Sequence, residues 1–201
     1  MKQLGAFLML LVVLVGCTSK SFDTKEAMLE YLRDPENHYL QQKKVNGYEF
    51  SLLYKPTDLL VNQELSASAT EDEIRQLRSK YGAFLYFALS ISKNDQELLS
   101  TTPKNRQEFG AMVNRLAFGM GSKVHLLTSK KDTIPLLDYV YPRMYGMSRS
   151  TSMLFVYPRD KKIKDSESLT ITIGDLGTYT GEVKFKIATK TIKNEPTITF
   201  Q

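Results

Sequence analysis

The sequence predicts an α+β fold, with helices mainly in the first half and an antiparallel β-sheet or small sandwich in the C-terminal half. Three segments before residue 122 carry apolar residues at helical spacing, whereas after Lys123 apolar residues recur at every second position. The composition, with 42% hydrophobic and 24% charged residues, is that of a globular protein. We therefore expect a single α+β domain over residues 23–201, with a possible sub-boundary near residues 122–124.

In the first half, helix signals surround a β-hairpin. Asp23 or Thr24 can cap a helix over residues 24–33, where the apolar residues form one stripe. Asn46-Gly47 supplies the positive φ angles of a hairpin turn. The flanking residues 39–45 and 48–54 are therefore predicted to be paired strands.

Two further helices and a central strand are predicted before residue 122. Thr70 and Glu73 form a capping box at the start of one helix. Residues 83–91 are largely apolar at both odd and even positions, which predicts a strand covered on both faces. The clearest helix follows, with Thr102 as its cap, Pro103 in its first turn, and an apolar stripe that runs to Met120.

The second half reads as strands separated by turns. The predicted strands span residues 124–128, 134–141, 152–157, 169–173, 181–188 and 197–200. Glycines near residues 174–181 mark turns between them. Strands at this density predict the antiparallel sheet or small sandwich.

A four-residue segment occurs twice in this half. Val140-Tyr141-Pro142-Arg143 is repeated as Val156-Tyr157-Pro158-Arg159. One interpretation is coincidence, or two similar strand ends, since proline belongs at an edge or end of a strand. The other is a surface for a partner or for lipid headgroups, because Tyr and Arg are enriched in binding hot spots. The candidate residues of that surface are Tyr141, Arg143, Tyr145, Arg149, Tyr157 and Arg159.

The sequence offers no constellation typical of catalysis or metal binding. His38 and His125 are the only histidines and do not form a pair at metal-ligand spacing, so we expect neither a metal nor a cofactor. No nucleophile elbow of the hydrolase type occurs. The net charge of +5 arises from lysines scattered along the chain, which indicates a solvated face or contact with anionic headgroups, and no nucleic-acid partner.

The N-terminus carries an export signal. Lys2 precedes an apolar run from Leu4 to Val15, and small residues lead to Cys17, the only cysteine. The segment Leu14-Val15-Gly16-Cys17 resembles the lipobox of bacterial lipoproteins. The resemblance implies a signal peptide over residues 1–16, cleavage before Cys17, and lipid on its thiol and new amino group. The alternative is a plain secretory or transmembrane segment with an incidental cysteine.

Further expectations follow from this resemblance. Residues 17–22 become a short lipidated tether, and with Cys17 acylated no thiol remains for a disulfide. In such lipoproteins an Asp after the Cys favours the inner membrane; Thr18 stands there, which implies the outer membrane. The following residues are not acidic, which favours the periplasmic face over the cell surface. The whole chain is similar to envelope lipoproteins of didermal bacteria, but outside the lipobox no residue matches a family of known activity.

Three functional hypotheses are compatible with these features. The first is a non-catalytic accessory or interaction subunit of an outer-membrane or envelope complex, with an envelope protein as its partner. The second is a binding module that holds a small molecule, glycan or peptide in a cleft between the helical and β halves. The third is an envelope hydrolase that joins a carboxylate to His38 or His125.

Overall fold

The computed structural model describes residues 19–66 and 68–200. Within these residues the chain is α+β, with seven α-helices, eleven strands in three sheets, and roughly equal helix and strand content. The lipobox and Cys17 lie outside the described residues. Lipid attachment at Cys17 therefore stays a prediction.

Strands and helices are interspersed along the described part of the chain. The strands are β1 (Ser21–Phe22), β2 (Leu40–Val45), β3 (Tyr48–Lys55), β4 (Phe84–Lys93), β5 (Val124–Thr128), β6 (Thr133–Ile134), β7 (Asp138–Val140), β8 (Thr151–Pro158), β9 (Ser168–Ile173), β10 (Val183–Ala188) and β11 (Thr197–Ile198). The helices are α1 (Lys25–Arg33), α2 (Thr57–Glu64), α3 (Glu71–Gly82), α4 (Leu98–Thr101), α5 (Arg106–Phe118), α6 (Lys161–Lys164) and α7 (Thr189–Lys193).

Two antiparallel sheets enclose one hydrophobic core. The larger has the order β2-β3-β4-β8-β7, and the smaller has the order β10-β9-β5-β6. Alternate residues along the long strands are buried, as the period of two requires, and the largest include Phe87, Phe155 and Phe185. Helix α5 adds Met112 and Leu116 to this core. The core therefore contains residues from both sides of 122–124.

The edge strands β2 and β10 lie side by side, so the ends of the two sheets coincide. The hydroxyl of Tyr39 donates to the carbonyl of Asn194 (3.2 Å), and the Gln41 amide donates to the carbonyl of Lys186 (2.7 Å). At the other end, the Asn46 amide donates to the carbonyl of Tyr179. We call the end where β3, β8 and β10 finish the tether end, and the end with the Asn46-Gly47 turn the distal end.

The first described residues are fixed at the tether end. β1 pairs in parallel with β11, and the amide of Thr197 donates to the carbonyl of Lys20 (2.9 Å). The carboxylate of Asp58, at the start of α2, accepts from the amide of Ile198 (2.7 Å) and from both a terminal and the ε nitrogen of Arg78 on α3. The point where the chain enters the fold is therefore held by a buried carboxylate.

The predicted division into a helical half and a β half is wrong. β4 pairs with β3 on one side and with β8 on the other, so strands from both halves form the centre of the larger sheet. Helices are scattered, since α6 and α7 lie in the second half. Strand pairing depends on residues that are far apart in the sequence, and local periodicity does not reveal it.

The predicted strand over residues 134–141 is two strands in different sheets. β6 pairs with β5 in the smaller sheet, whereas β7 pairs with β8 in the larger one. Pro135 follows β6 directly and cannot donate a ladder hydrogen bond. The chain therefore leaves one sheet there and crosses to the other.

Replacing glycine by alanine should change the stability of the fold in opposite directions at two positions, Gly47 in the turn between β2 and β3 and Gly110 in α5. Gly47 has φ +77°, so we expect Gly47→Ala to lower the free energy of unfolding by about 1 kcal/mol. Gly110 lies inside α5, and an added Cβ would meet no atom within 4 Å. Gly110→Ala should therefore raise the free energy of unfolding by about 0.5–1 kcal/mol. Urea denaturation of both variants measures the difference, and a loss at both positions would contradict it.

Candidate functional site

The connection between β7 and β8 is a loop at the distal end that exposes large apolar side chains. β7 runs antiparallel to β8 with Val140 opposite Leu154, so residues 141–150 leave the sheet at the end where β8 begins. Tyr145 and Met147 are 78% and 79% exposed, and Val140 and Met144 are also exposed. Together with the exposed Arg143 and Arg149, these six residues are the β7–β8 surface.

A tight turn presents the tip of this surface. The amide of Met147 donates to the carbonyl of Met144 (3.0 Å), and both central residues have positive φ, +53° at Tyr145 and +82° at Gly146. Two consecutive positive φ angles are typical of a type I′ turn. A bulky residue in this region is uncommon and occurs where the surroundings fix it, often at functional sites.

A buried carboxylate holds the base of the loop. Glu97 is 2% exposed and accepts a hydrogen bond from the amide of Ser148 (3.0 Å). The amide of Leu98 donates to the hydroxyl of Thr151 (2.9 Å), which ties α4 to the start of β8. The loop is therefore attached at its exit to α4.

Tyr141 lies at the other side of the loop base. Its hydroxyl is buried and has no hydrogen-bond partner among the described residues. Burial, reinforced by Glu97, raises the pKa of this phenol above its ordinary value of 10.0, against the opposing effect of Arg143. Tyr141 thus supports the loop as a neutral, half-buried side chain.

The structure brings together four of the six candidate surface residues. Tyr141, Arg143, Tyr145 and Arg149 all belong to the β7–β8 loop. Tyr157 and Arg159 lie at the tether end, at and just beyond the end of β8. Both copies of Val-Tyr-Pro-Arg stand at the C-terminal end of a strand. Because β7 and β8 are antiparallel, the two copies point to opposite ends of the sheet.

Tyr157 and Arg159 contact other parts of the fold and do not belong to the β7–β8 surface. Tyr157 is fully buried. Nη2 of Arg159 donates to Oε1 of Glu195 (2.6 Å) and to the hydroxyl of Tyr54 (3.0 Å). Burial by itself lowers the pKa of the Arg159 guanidinium, but Tyr54 and Glu195 outweigh it and hold that pKa above its ordinary value. This ion pair links β8 to the segment before β11.

Several residues of the β7–β8 surface were missed from the sequence. Val140 lay in a predicted strand, and Met144 and Met147 lay between predicted strands in a segment for which they were not selected as site residues. One available signal was the density of methionine and tyrosine between Gly- and Ser-rich positions, since a solvated loop seldom carries so many large apolar residues.

Other concave features among the described residues include grooves open to solvent. One runs over the outer face of the larger sheet and is lined by small and charged residues that include Ser51, Ser90, Ser92 and Arg149. Over residues 19–66 and 68–200, no three His, Cys, Asp or Glu side chains stand close enough to share a metal ion. None of the helices in this part of the chain has the length and apolar character needed to cross a membrane.

The chain was also compared with known proteins. A comparison with protein-family models, with curated proteins and with solved structures finds no match.

Proposed function

We propose that this chain is a lipid-anchored interaction subunit of an outer-membrane or envelope assembly, and that it docks a partner protein through the β7–β8 surface. The observation that carries the proposal is the group of exposed Tyr, Met and Arg side chains on one structured loop at the end opposite the tether. Anchoring through Cys17 and a periplasmic orientation are parts of the same proposal.

The composition of the surface supports a protein partner. Tyrosine, methionine and arginine are enriched at the cores of interfaces, and isolated exposed apolar residues are common but clusters of them mark binding sites. Residues 141–150 include two arginines and no acidic residue. The complementary partner surface therefore has an apolar centre and acidic residues at its rim.

The support beneath the loop favours affinity. The type I′ turn and the Glu97–Ser148 hydrogen bond order the loop before a partner arrives. Loops that are ordered in advance lose less conformational entropy on binding. The loop also lies one strand length from the tether, about 25 Å for the eight residues of β8. It therefore faces away from the bilayer that the lipid would enter.

A paired substitution tests the proposal. We expect Tyr145→Ser combined with Met147→Ser to reduce recovery of the partner by at least tenfold, because interface hot spots each contribute about 2 kcal/mol or more. The measurement is affinity purification of the lipidated protein in mild detergent, with the co-purified protein quantified by mass spectrometry. Both residues are exposed, so the free energy of unfolding should change by less than about 0.5 kcal/mol.

Phe118→Ser is the matched control. Phe118 is 78% exposed, as Tyr145 is, but it ends α5 outside the β7–β8 surface. We expect this variant to retain the partner.

Charge reversal by Arg143→Glu with Arg149→Glu should lower recovery of the partner and weaken the dependence of that recovery on salt. Repeated purification of the native protein alone, or equal recovery with the double serine variant, would refute the proposal.

A further inference from the structure

We infer that the tether end binds the surface of an anionic lipid bilayer through seven exposed lysines. These lysines lie in three segments that flank strands of the smaller sheet. They are Lys130 and Lys131 in the turn after β5, Lys161, Lys162 and Lys164 in α6, and Lys190 and Lys193 in α7. We call them the lysine surface.

The three segments form one continuous surface. The amide of Ser129 donates to the hydroxyl of Ser166 (2.9 Å), which joins the β5 turn to the segment after α6. The amide of Thr189 donates to the carbonyl of Glu167 (3.0 Å), which joins that segment to α7. Nζ of Lys193 reaches the carbonyl of Lys164 (3.1 Å). The lysines are therefore held side by side at the ends of neighbouring strands.

The surface keeps a positive charge after its acids are counted. The same segments contain four acidic residues, namely Asp132, Asp160, Asp165 and Glu167, so seven lysines leave an excess of three positive charges. Asp160 accepts from the amide of Lys162 and caps α6, and Asp132 contacts Thr128. Within the described part of the chain, none of the seven lysines forms a salt bridge.

The position of the surface identifies its partner. α7 leads within a few residues to β11, which pairs with β1. The chain before β1 leads directly to Cys17, so a lipid there would bring the bilayer to this end of the molecule. The inference rests on the anchoring proposed above and not on the β7–β8 surface.

Electrostatic attraction sets the expected strength with which the lysine surface binds an anionic bilayer. A lysine near an anionic bilayer contributes about a fivefold gain in binding, and the attraction falls off within a Debye length. Several lysines held on one surface therefore fix the orientation of a protein whose attachment the acyl chains already provide. The orientation that results points the β7–β8 surface away from the bilayer.

Lysine acylation on vesicles tests this inference. The mature lipidated protein, its mass confirmed, is reconstituted into vesicles of phosphatidylcholine alone or with about one third phosphatidylglycerol. A water-soluble acylating reagent then labels exposed amines, and mass spectrometry measures each lysine. We expect at least threefold protection of the lysine surface on anionic vesicles only, lost in about 0.5 M salt. Lys43 and Lys104, nearer the distal end, serve as internal controls and should label equally on both vesicles.

A charge variant and a free anion complete the test. Lys161→Gln, Lys162→Gln and Lys190→Gln together should remove the protection of the other four lysines. Equal labelling on both vesicle types would overturn the inference, and so would equal protection by inorganic phosphate with neutral vesicles. If the purified protein carries no lipid, the anchoring proposal fails, but the inference still predicts flotation with anionic vesicles and none with neutral ones.

Discussion

Replacing Glu195 by alanine should lower the free energy of unfolding by about 3 kcal/mol. The carboxylate of Glu195 accepts hydrogen bonds from the hydroxyl of Tyr54 (2.6 Å), the amide of Thr57 (3.1 Å) and Arg159 (2.6 Å). Alanine leaves the largely buried guanidinium without a counter-ion and the Tyr54 hydroxyl without its acceptor. Such uncompensated groups cost more than the pair contributes. Urea denaturation at neutral pH measures the loss.

Two variants distinguish burial from charge as the cause. Glu64 pairs with Lys80, but both side chains are largely exposed, so Glu64→Ala should cost less than about 1 kcal/mol. A double replacement, Arg159→Met with Glu195→Leu, removes both charges and should recover a large part of the loss. Equal losses for Glu195→Ala and Glu64→Ala would show that the cluster at Glu195 contributes no more than a surface pair.

Alkaline pH should destabilise the protein steeply above pH 10. Burial raises the pKa of Tyr157 above its ordinary value of 10.0. Burial, with Glu195 as a further cause, does the same for Tyr39 and Tyr54. The phenols thus stay neutral in the folded chain while those of the unfolded chain ionise. Their stabilising contribution is complete below pH 10 and is lost as the pH rises towards the folded pKa values.

Each of these buried phenols steepens the pH dependence of stability by up to about 1.4 kcal/mol per pH unit. Tyr157→Phe is the discriminating variant. The Tyr157 hydroxyl is buried without a hydrogen-bond partner in the described chain. Its removal should not lower stability at pH 7, but it should reduce the alkaline slope by up to about 1.4 kcal/mol per pH unit. An unchanged slope in urea denaturation between pH 10 and pH 11.5 would contradict this account.

Local signals in the sequence located most elements correctly. Thr24 caps α1 by accepting from the amide of Ala27, and Thr70 and Glu73 form the capping box of α3. These features depend on residues a few positions apart, which a sequence shows directly. The start of α5 was wrong, because Asn105 caps it in place of Thr102, and the residues before Thr102 form α4.

Long-range features could not be found in this way. Nothing local to Asp58 indicates that it accepts from Ile198, which is 140 residues away. Arg159 resembled a surface residue because its partner Glu195 is 36 residues away in the sequence. Because β7 and β8 are antiparallel, the two Val-Tyr-Pro-Arg segments lie at opposite ends of the sheet, and local sequence does not show this pairing. For the β7–β8 surface, Arg143, Tyr145 and Arg149 were predicted from the sequence, whereas the exposure of Val140 and Met147 required the fold.

The length of the strands sets the distance between the tether end and the surface proposed to bind a partner. β8 spans about 25 Å between the tether end and the β7–β8 surface. In the proposed arrangement, the lysine surface would rest on lipid and the short tether would hold the loop at a nearly constant height above the bilayer. Diffusion would then be a search in two dimensions among proteins of the same membrane. Only a partner whose acidic, apolar patch stands at that height would meet the loop at high effective concentration.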